Sequence, residues 1–395
     1  MPAAIGVGFI GYGWMGRTHA HALHTIDHLA PLDRPVRLVS ISGRNAGRVE
    51  HVARTLGFER WTTRWEEVVE DPAVEVVAVL AATHAHAAPS IAALEADKPV
   101  LCEKPLGSDA REAARMLDAA DRAGVTNACG FNYRFVPAVR LARDVIASGA
   151  LGSIRHYRAL YLQDWAGSPE LPRTWRFEAR GGANGAVGDY SHLVDLLRYL
   201  VGEPVSAIAE THRLIADRPD PGGDGRLPVE VEDWYAAALR MPGGSTATLE
   251  ASRCATGWKG RQLVEVDGTE GSLWWDMEDL NRLHLFLVRD EKQGLGGFRD
   301  VLVTEGDHPF MEHWWAPGHI IGWEHTFVHQ WRELLGAFLR GEPVGEHQAS
   351  FADGCRAAAI CDGILEAART ERRVRLSSGR SPAREPTVET GVVDP

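Results

Sequence analysis

The feature that most constrains this chain is a glycine-spaced turn set at a strand end. The apolar run Ile5 to Ile10 leads directly into Gly11-Tyr12-Gly13-Trp14-Met15-Gly16, and the segment from Trp14 to about His28 has helical character. A strand, a G-x-G-x-x-G turn and a helix in that order open a βαβ unit able to hold a dinucleotide. Gly11 permits the tight turn, Gly13 lets a pyrophosphate approach the backbone, and Gly16 lets the helix pack closely. The helix N-terminus attracts the phosphates. Gly11, Gly13, Trp14, Met15 and Gly16 are therefore candidate cofactor ligands; a merely tight β–α turn is the alternative.

Further apolar runs at Val36 to Ile41, Val74 to Ala81 and Pro99 to Cys102, with helix-like Ala87 to Ala96 between the last two, predict a parallel sheet covered on both faces. Asp109 and Glu112 form a capping pair for the helix that Gly124 closes, and Val125 to Gly130 is the next strand. Beyond about Asn132 the pattern changes to alternation, at Ile154 to Leu162, Val205 to His212, Trp234 to Met241, Ser245 to Ser252 and Arg261 to Val266. Such spacing predicts an open, largely antiparallel sheet with a few helices. The expected fold class is thus α/β: an N-terminal Rossmann, doubly wound parallel sheet over 1–130, and a C-terminal α+β domain over 131–376 that binds substrate and oligomerises. Residues 377–395, rich in Ser, Pro, Gly and charge, are expected to be a disordered tail. A length of 395 residues agrees with two domains.

At the end of the second strand, where a carboxylate would bind the ribose 2′-hydroxyl of NAD, stands Ser42-Gly43-Arg44-Asn45. Without that negative charge a 2′-phosphate is not repelled. Arg44 could pair with the phosphate, stack on adenine or face solvent, so NAD and NADP both stay open. The net charge of −12 argues against a nucleic-acid partner. No apolar stretch approaches a membrane span, and five scattered cysteines without C-x-x-C spacing indicate neither disulfides nor a metal site. A cytoplasmic protein is expected.

Lys104 follows a strand at its carboxyl end, where ligands bind in open α/β sheets, and Pro105 limits it to an extended backbone. An ammonium there can stabilise developing alkoxide charge, and the imidazole of His192 suits proton removal from an alcohol at neutral pH. Taken alone, His192 among Leu193, Leu196 and Leu197 would read as a packed core residue, and Lys104 as a bridge between domains. Several segments together resemble the glucose-fructose oxidoreductase, inositol dehydrogenase and rhizopine catabolism (Gfo/Idh/MocA) family. They are the glycine turn with Arg17-Thr18-His19-Ala20, the His86 to Leu94 helix start, Cys102-Glu103-Lys104-Pro105-Leu106, Gly130-Phe131-Asn132-Tyr133-Arg134-Phe135, and Gly181 to Leu197. The resemblance, which runs to about Arg369, implies Lys104 and His192 as a catalytic pair and an aspartate one turn before the histidine. It also implies Glu103 and Lys104 beside the cofactor, with Lys104, Tyr133, Arg134 and His192 beside the substrate. The family's aspartate stands four residues ahead of the histidine, a place taken here by Gly188, while Asp189 lies three ahead. Both spacings bring side chains together on a helix, so Asp189 is the third catalytic candidate; Asp195 could orient the imidazole instead. His19 and His86 recur in the family but are left out of the site, since capping or packing would account for them.

Aromatic faces cover the CH faces of a pyranose while imidazole and guanidinium groups address its hydroxyls. Trp165, Trp175, Arg176, Trp323 and His325 are candidate substrate contacts on that ground, and plugs between domains or subunits are the alternative. The Trp323 to Thr326 segment is similar to levoglucosan and inositol dehydrogenases within the family. The only basic cluster suited to a phosphorylated sugar is Arg173, Arg176 and Arg180, so an uncharged sugar, glycoside or cyclitol is favoured. The resulting expectation is an NAD- or NADP-dependent oxidoreductase acting on a secondary alcohol of a small sugar-like substrate. A non-catalytic nucleotide-sensing regulator and a redox-neutral glycosidase or lyase with tightly held NAD are the competing readings. The bare outer face of the second sheet predicts a homodimer or homotetramer.

Overall fold

The computed structural model describes residues 3–179 and 185–376, so the expected tail at 377–395 and Arg180 lie outside the described residues. Strands β1 (Ile5–Ile10), β2 (Val36–Ser42), β3 (Arg60–Thr62), β4 (Val76–Val79), β5 (Val100–Cys102) and β6 (Asn127–Cys129) form a parallel sheet in the order β3-β2-β1-β4-β5-β6. Along β4, Val76 and Ala78 enter one core while Val77 and Val79 enter the other, which is why the strand reads as a continuous apolar run. Helices α1 (Trp14–Leu29) and α2 (Ala46–Leu56) cover the first face, and α3 (Trp65–Glu70), α4 (Ala87–Glu95) and α5 (Ala110–Ala123) cover the second. Asp109 caps α5 by accepting from Glu112 N at 2.7 Å, and Gly124, at φ 64°, ends it in the left-handed conformation.

Helix α6 (Pro137–Ala147) leads into the second half. There β7 (Ile154–Leu162), β8 (Ser206–His212), the separate ribbon β9 (Asp217–Pro219) and β10 (Arg226–Pro228), then β11 (Trp234–Arg240), β12 (Thr246–Ser252) and β13 (Arg261–Gly268) follow in turn. Strands β14 (Gly271–Asp276), β15 (Arg282–Leu287), β16 (Arg299–Leu302) and β17 (Val374–Arg375) widen the sheet beyond the last strand expected from the sequence. The nine-stranded order is β16-β15-β14-β13-β7-β12-β11-β8-β17, and only the β7–β12 pairing is parallel. Tyr157, Ala159 and Tyr161 of β7 point inward with Tyr235, Ala237 and Leu239 of β11. They share a core with α7 (Gly185–Asp189), α8 (His192–Val201) and α11 (Phe351–Thr370), while the short α9 (Val288–Glu291) follows β15. The outer face carries Arg158, Leu160, Ile208, Ala238 and Leu263 along an open trough of about 510 Å³.

Both crossovers on the β4–β6 side, α4 and α5, lie on the second face, so the first face would be bare there. Helix α10 (His325–Arg340) fills that gap from the far end of the chain. Its Phe327, Val328, Trp331, Leu334 and Leu335 join one core with Phe9, Leu101 and Ala128. The first sheet is therefore completed by a helix that a linear division at residue 131 assigns to the other half.

Candidate active site

Lys104 stands one residue beyond Glu103 at the end of β5, and two histidines hold this turn in place. His19 of α1 lies 2.9 Å from Glu103 Oε1, while Trp331 Nε1 donates to His19 Nδ1 at 2.8 Å. An indole N–H only donates, so Nδ1 accepts and Nε2 is the nitrogen carrying hydrogen toward the carboxylate. The other Glu103 oxygen accepts from Lys104 N at 3.1 Å. His86, at the start of α4, reaches Pro105 O at 3.1 Å and Ala81 O at 3.0 Å, so it pins the far side of the turn to the end of β4. Glu103, expected beside the cofactor, thus has both oxygens engaged inside the protein.

The ammonium of Lys104 reaches into the second half, where Nζ donates to Asp189 O at 2.6 Å and lies 3.5 Å from Asp189 Oδ1. Asp189 ends α7, and a turn at Tyr190 and Ser191 separates it from His192, the first residue of α8. The expected single helix is therefore broken here, and Asp189 meets the lysine. Burial pushes the Asp189 carboxyl up, but Lys104, Arg253 and Arg176 outweigh it and hold the group below the usual carboxylate range. Burial and then the Lys104 charge push the His192 imidazole well below its ordinary value, so it is uncharged at neutral pH. His192 retains 7% exposure and its Nδ1 is sealed without a hydrogen-bond partner among the described residues, which leaves Nε2 as the nitrogen available to a ligand.

An aromatic wall surrounds this imidazole. Tyr133 and Phe131 present ring edges at centroid distances of 4.6 Å and 5.7 Å. Tyr133 OH meets Tyr161 OH at 2.9 Å, and burial raises the Tyr133 phenol to about 12 against the opposing effects of Tyr161 and Trp323. Tyr190 packs on Tyr161 at 4.7 Å and donates to Gln163 Oε1 at 3.1 Å. Tyr161, Gln163 and Tyr190 were not among the residues expected from sequence, although the inward alternation 157, 159, 161 of β7 pointed to the first. Trp165 packs on Phe177 at 5.8 Å, with Arg253 over its ring at 5.5 Å. Trp175 lies 6.4 Å from His84 of the first half, with the Arg176 guanidinium over its ring at 4.5 Å.

Two expectations, for Arg134 and Asp195, are corrected. Arg134 does not offer its guanidinium to a ligand: it is 3% exposed and gives Nε and Nη2 to Asp195 at 2.8 and 2.6 Å, with Asp353 at 3.5 Å. Asp195 is accordingly the partner of Arg134 and Arg198 rather than of His192. A buried guanidinium needs that carboxylate to offset its desolvation. His325 accepts from Gly322 N at 3.1 Å and packs on Trp314; none of its contacts among the described residues is with Lys104, Asp189 or His192. Trp323 stacks on Trp14 at 5.3 Å, above the glycine turn.

That turn has the shape a dinucleotide requires. Gly11 adopts φ +109°, and a Cβ there would meet Leu80 O at 2.6 Å. A Cβ on Gly13 would meet nothing within 4 Å, so open space lies over this backbone. Gly13 caps α1 without any side-chain hydrogen bond, and the first turn holds no acidic residue, which leaves the helix N-terminal N–H groups for phosphate. Arg44 is exposed just beyond β2. Among the described residues no group of three or more His, Cys, Asp and Glu could hold a metal ion, and no helix is long and apolar enough to cross a membrane.

A family model described as "Oxidoreductase family, NAD-binding Rossmann fold" matches residues 5–131, and one described as "GFO/IDH/MocA C-terminal domain" matches residues 139–274. Levoglucosan dehydrogenase of Pseudarthrobacter phenanthrenivorans is 36% identical over 384 residues, covering 93% of this chain and 97% of that protein. The scyllo-inositol 2-dehydrogenase (NAD(+)) of Bacillus subtilis is 31% identical over 267 residues, covering 67% and 72%. Among solved structures, levoglucosan dehydrogenase in complex with NADH and L-sorbose aligns with a TM-score of 0.90 at 35% identity, covering 95% of this chain and 100% of that one.

Proposed function

Because the chain belongs to the Gfo/Idh/MocA family of NAD-binding oxidoreductases, we propose that it oxidises or forms a secondary alcohol on an uncharged sugar, glycoside or cyclitol. His192 is the proton acceptor and donor, Lys104 its electrostatic partner, and Asp189 the group that positions Lys104. The observation that carries this reading is the contact of the Lys104 ammonium, from the first half, with Asp189 of the second, three residues before His192. In the oxidising direction His192 Nε2 takes the hydroxyl proton, and Lys104 steadies the negative charge that grows on the oxygen. When bound, the dinucleotide would be held through its pyrophosphate by Gly11, Gly13 and the N-terminus of α1 and would supply hydride acceptance or donation. Tyr133, Phe131, Tyr161 and Tyr190, all buried, wall off the imidazole and exclude water from it. Arg173 is neutralised by Glu178 and Glu230, which removes it from the cluster a sugar phosphate would need.

The test is a screen of anhydrosugars, pyranoses, glycosides and inositols with NAD and NADP, following reduced nicotinamide by absorbance. With the substrate found, Lys104→Met and His192→Ala should each lower kcat by about 10²–10⁴-fold. Parental turnover in both variants refutes the assignment.

The outer trough of the second sheet is read as the contact between copies of this chain, giving a homodimer or homotetramer. Leu160, Ile208 and Ala238 supply apolar contact there, and Arg158 with Glu210, Glu250 and Glu265 supplies polar complement. Sedimentation should show the parent as an oligomer and Leu160→Arg as a smaller species; a monomeric parent removes this assembly.

A further inference from the structure

We propose that this chain prefers the phosphorylated dinucleotide NADP(H), with Arg44 and Arg48 as the residues that receive its 2′-phosphate. The preference rests on the Rossmann half alone and stands or falls independently of which alcohol is oxidised.

The ladder pairs Ile10 with Ser42, and Gly11 N donates to Ser42 O at 3.0 Å, so the end of β2 lies directly beside the glycine turn. In this fold the adenosine ribose lies at that point, and a carboxylate there would bind its hydroxyls and repel a phosphate. None of the described side chains at the end of β2 plays that part. Ser42 is 2% exposed. Gly43 lies under the Tyr12 ring, which a Cβ at 43 would strike at 1.8 Å. The side chain of Asn45 is spent on capping α2, accepting from Arg48 N at 3.0 Å, and the first turn of α2 contains no acid.

Several arginines of this half are already neutralised. Arg34, Arg37, Arg54, Arg60 and Arg64 are paired with Glu75, Glu59, Glu50, Asp71 and Glu67. Arg17, Arg44 and Arg48 are exposed and have no carboxylate partner among the described residues. Arg17 and Arg48 line one groove of about 520 Å³ with Tyr12, Gly47 and His51, alongside Gly13 of the glycine turn, and Arg44 lies four residues before Arg48 at the mouth of α2. In a protein of net charge −12, unpaired cations gathered at the one place where two dinucleotides differ by a phosphate form a local anion site. Guanidinium forks match phosphate oxygens in pairs.

The test is equilibrium binding, read by calorimetry or by quenching of tryptophan fluorescence, with NADPH and NADH as probes and 2′,5′-ADP against 5′-ADP as their adenosine halves. The expected result is NADPH bound at least about tenfold more tightly than NADH, the difference shrinking with added salt. Arg44→Ala/Arg48→Ala should bring the ratio of the two affinities close to one, and Arg44→Asp should turn it in favour of NADH, with unchanged thermal unfolding showing that the variants are folded. Equal or tighter binding of NADH by the parent, or a ratio untouched in the double variant, overturns the proposal.

Discussion

Trp331 Nε1 lies 2.8 Å from His19 Nδ1, joining residues 312 positions apart, and the opposite nitrogen of the same ring faces Glu103 at 2.9 Å. This chain of contacts ties α10, α1 and the Lys104 turn into one unit. Trp331→Phe preserves most of the ring packing on Phe9 but leaves a buried lone pair unmatched. A loss of about 1–3 kcal/mol in denaturant unfolding is expected. Stability equal to the parent would show that this hydrogen bond contributes nothing.

Gly11 and Gly13 should separate folding from cofactor binding. An alanine at 11 adopts an unfavourable positive φ and runs into Leu80 O, so Gly11→Ala lowers the unfolding midpoint. Gly13 has an ordinary φ of −69° and open space above it, so Gly13→Ala keeps its stability and fills the volume a pyrophosphate needs. Thermal unfolding together with NADH titration reads both effects. Undiminished NADH binding by Gly13→Ala contradicts the placement.

The depressed proton affinity of His192 fixes the shape of the pH profile. Its folded value lies well below 6.5, so the base form persists through that pH and kcat/KM for oxidation stays level there, falling only in more acid solution. Lys104→Met removes one of the two causes of the depression, so the acid limb of its residual activity moves upward. A parental inflection at or above about 6.5 contradicts the buried, lysine-coupled imidazole.

His329 makes folding itself sensitive to acid. Trp314 Nε1 donates to its Nε2 at 2.7 Å and its Nδ1 contacts Phe135 O at 2.9 Å, so the neutral ring is fully satisfied and a second proton would face an N–H. Burial is the main cause that lowers this group to about 3. The unfolded chain therefore takes up the proton first. The stabilisation is complete above pH 6.5 and is lost as pH falls toward 3, at about 1.4 kcal/mol per pH unit. His329→Phe should be less stable at pH 7 and show a flatter decline between pH 6.5 and 4. An unchanged slope would assign the acid sensitivity to other groups.

The local signals in the sequence determined the glycine turn, the alternation of inward residues in β7, β8, β11, β12 and β13, and the position of Lys104 at a strand end. Each depends on backbone conformation or on side-chain periodicity over a few residues, and both are written in neighbouring positions. The tertiary structure alone decided what distant residues do to one another. Arg134 resembled a substrate contact until Asp195, 61 residues away, claimed its guanidinium. The segment around Asp189 and His192 suggested one helix, but the turn at Tyr190 and Ser191 breaks it and hands Asp189 to Lys104. Helix α10 was unassigned until the bare face over β4–β6 called for a cover. Burial of a charge or of apolar surface is settled by whichever partner the whole chain brings near, and no window of neighbouring residues contains that information.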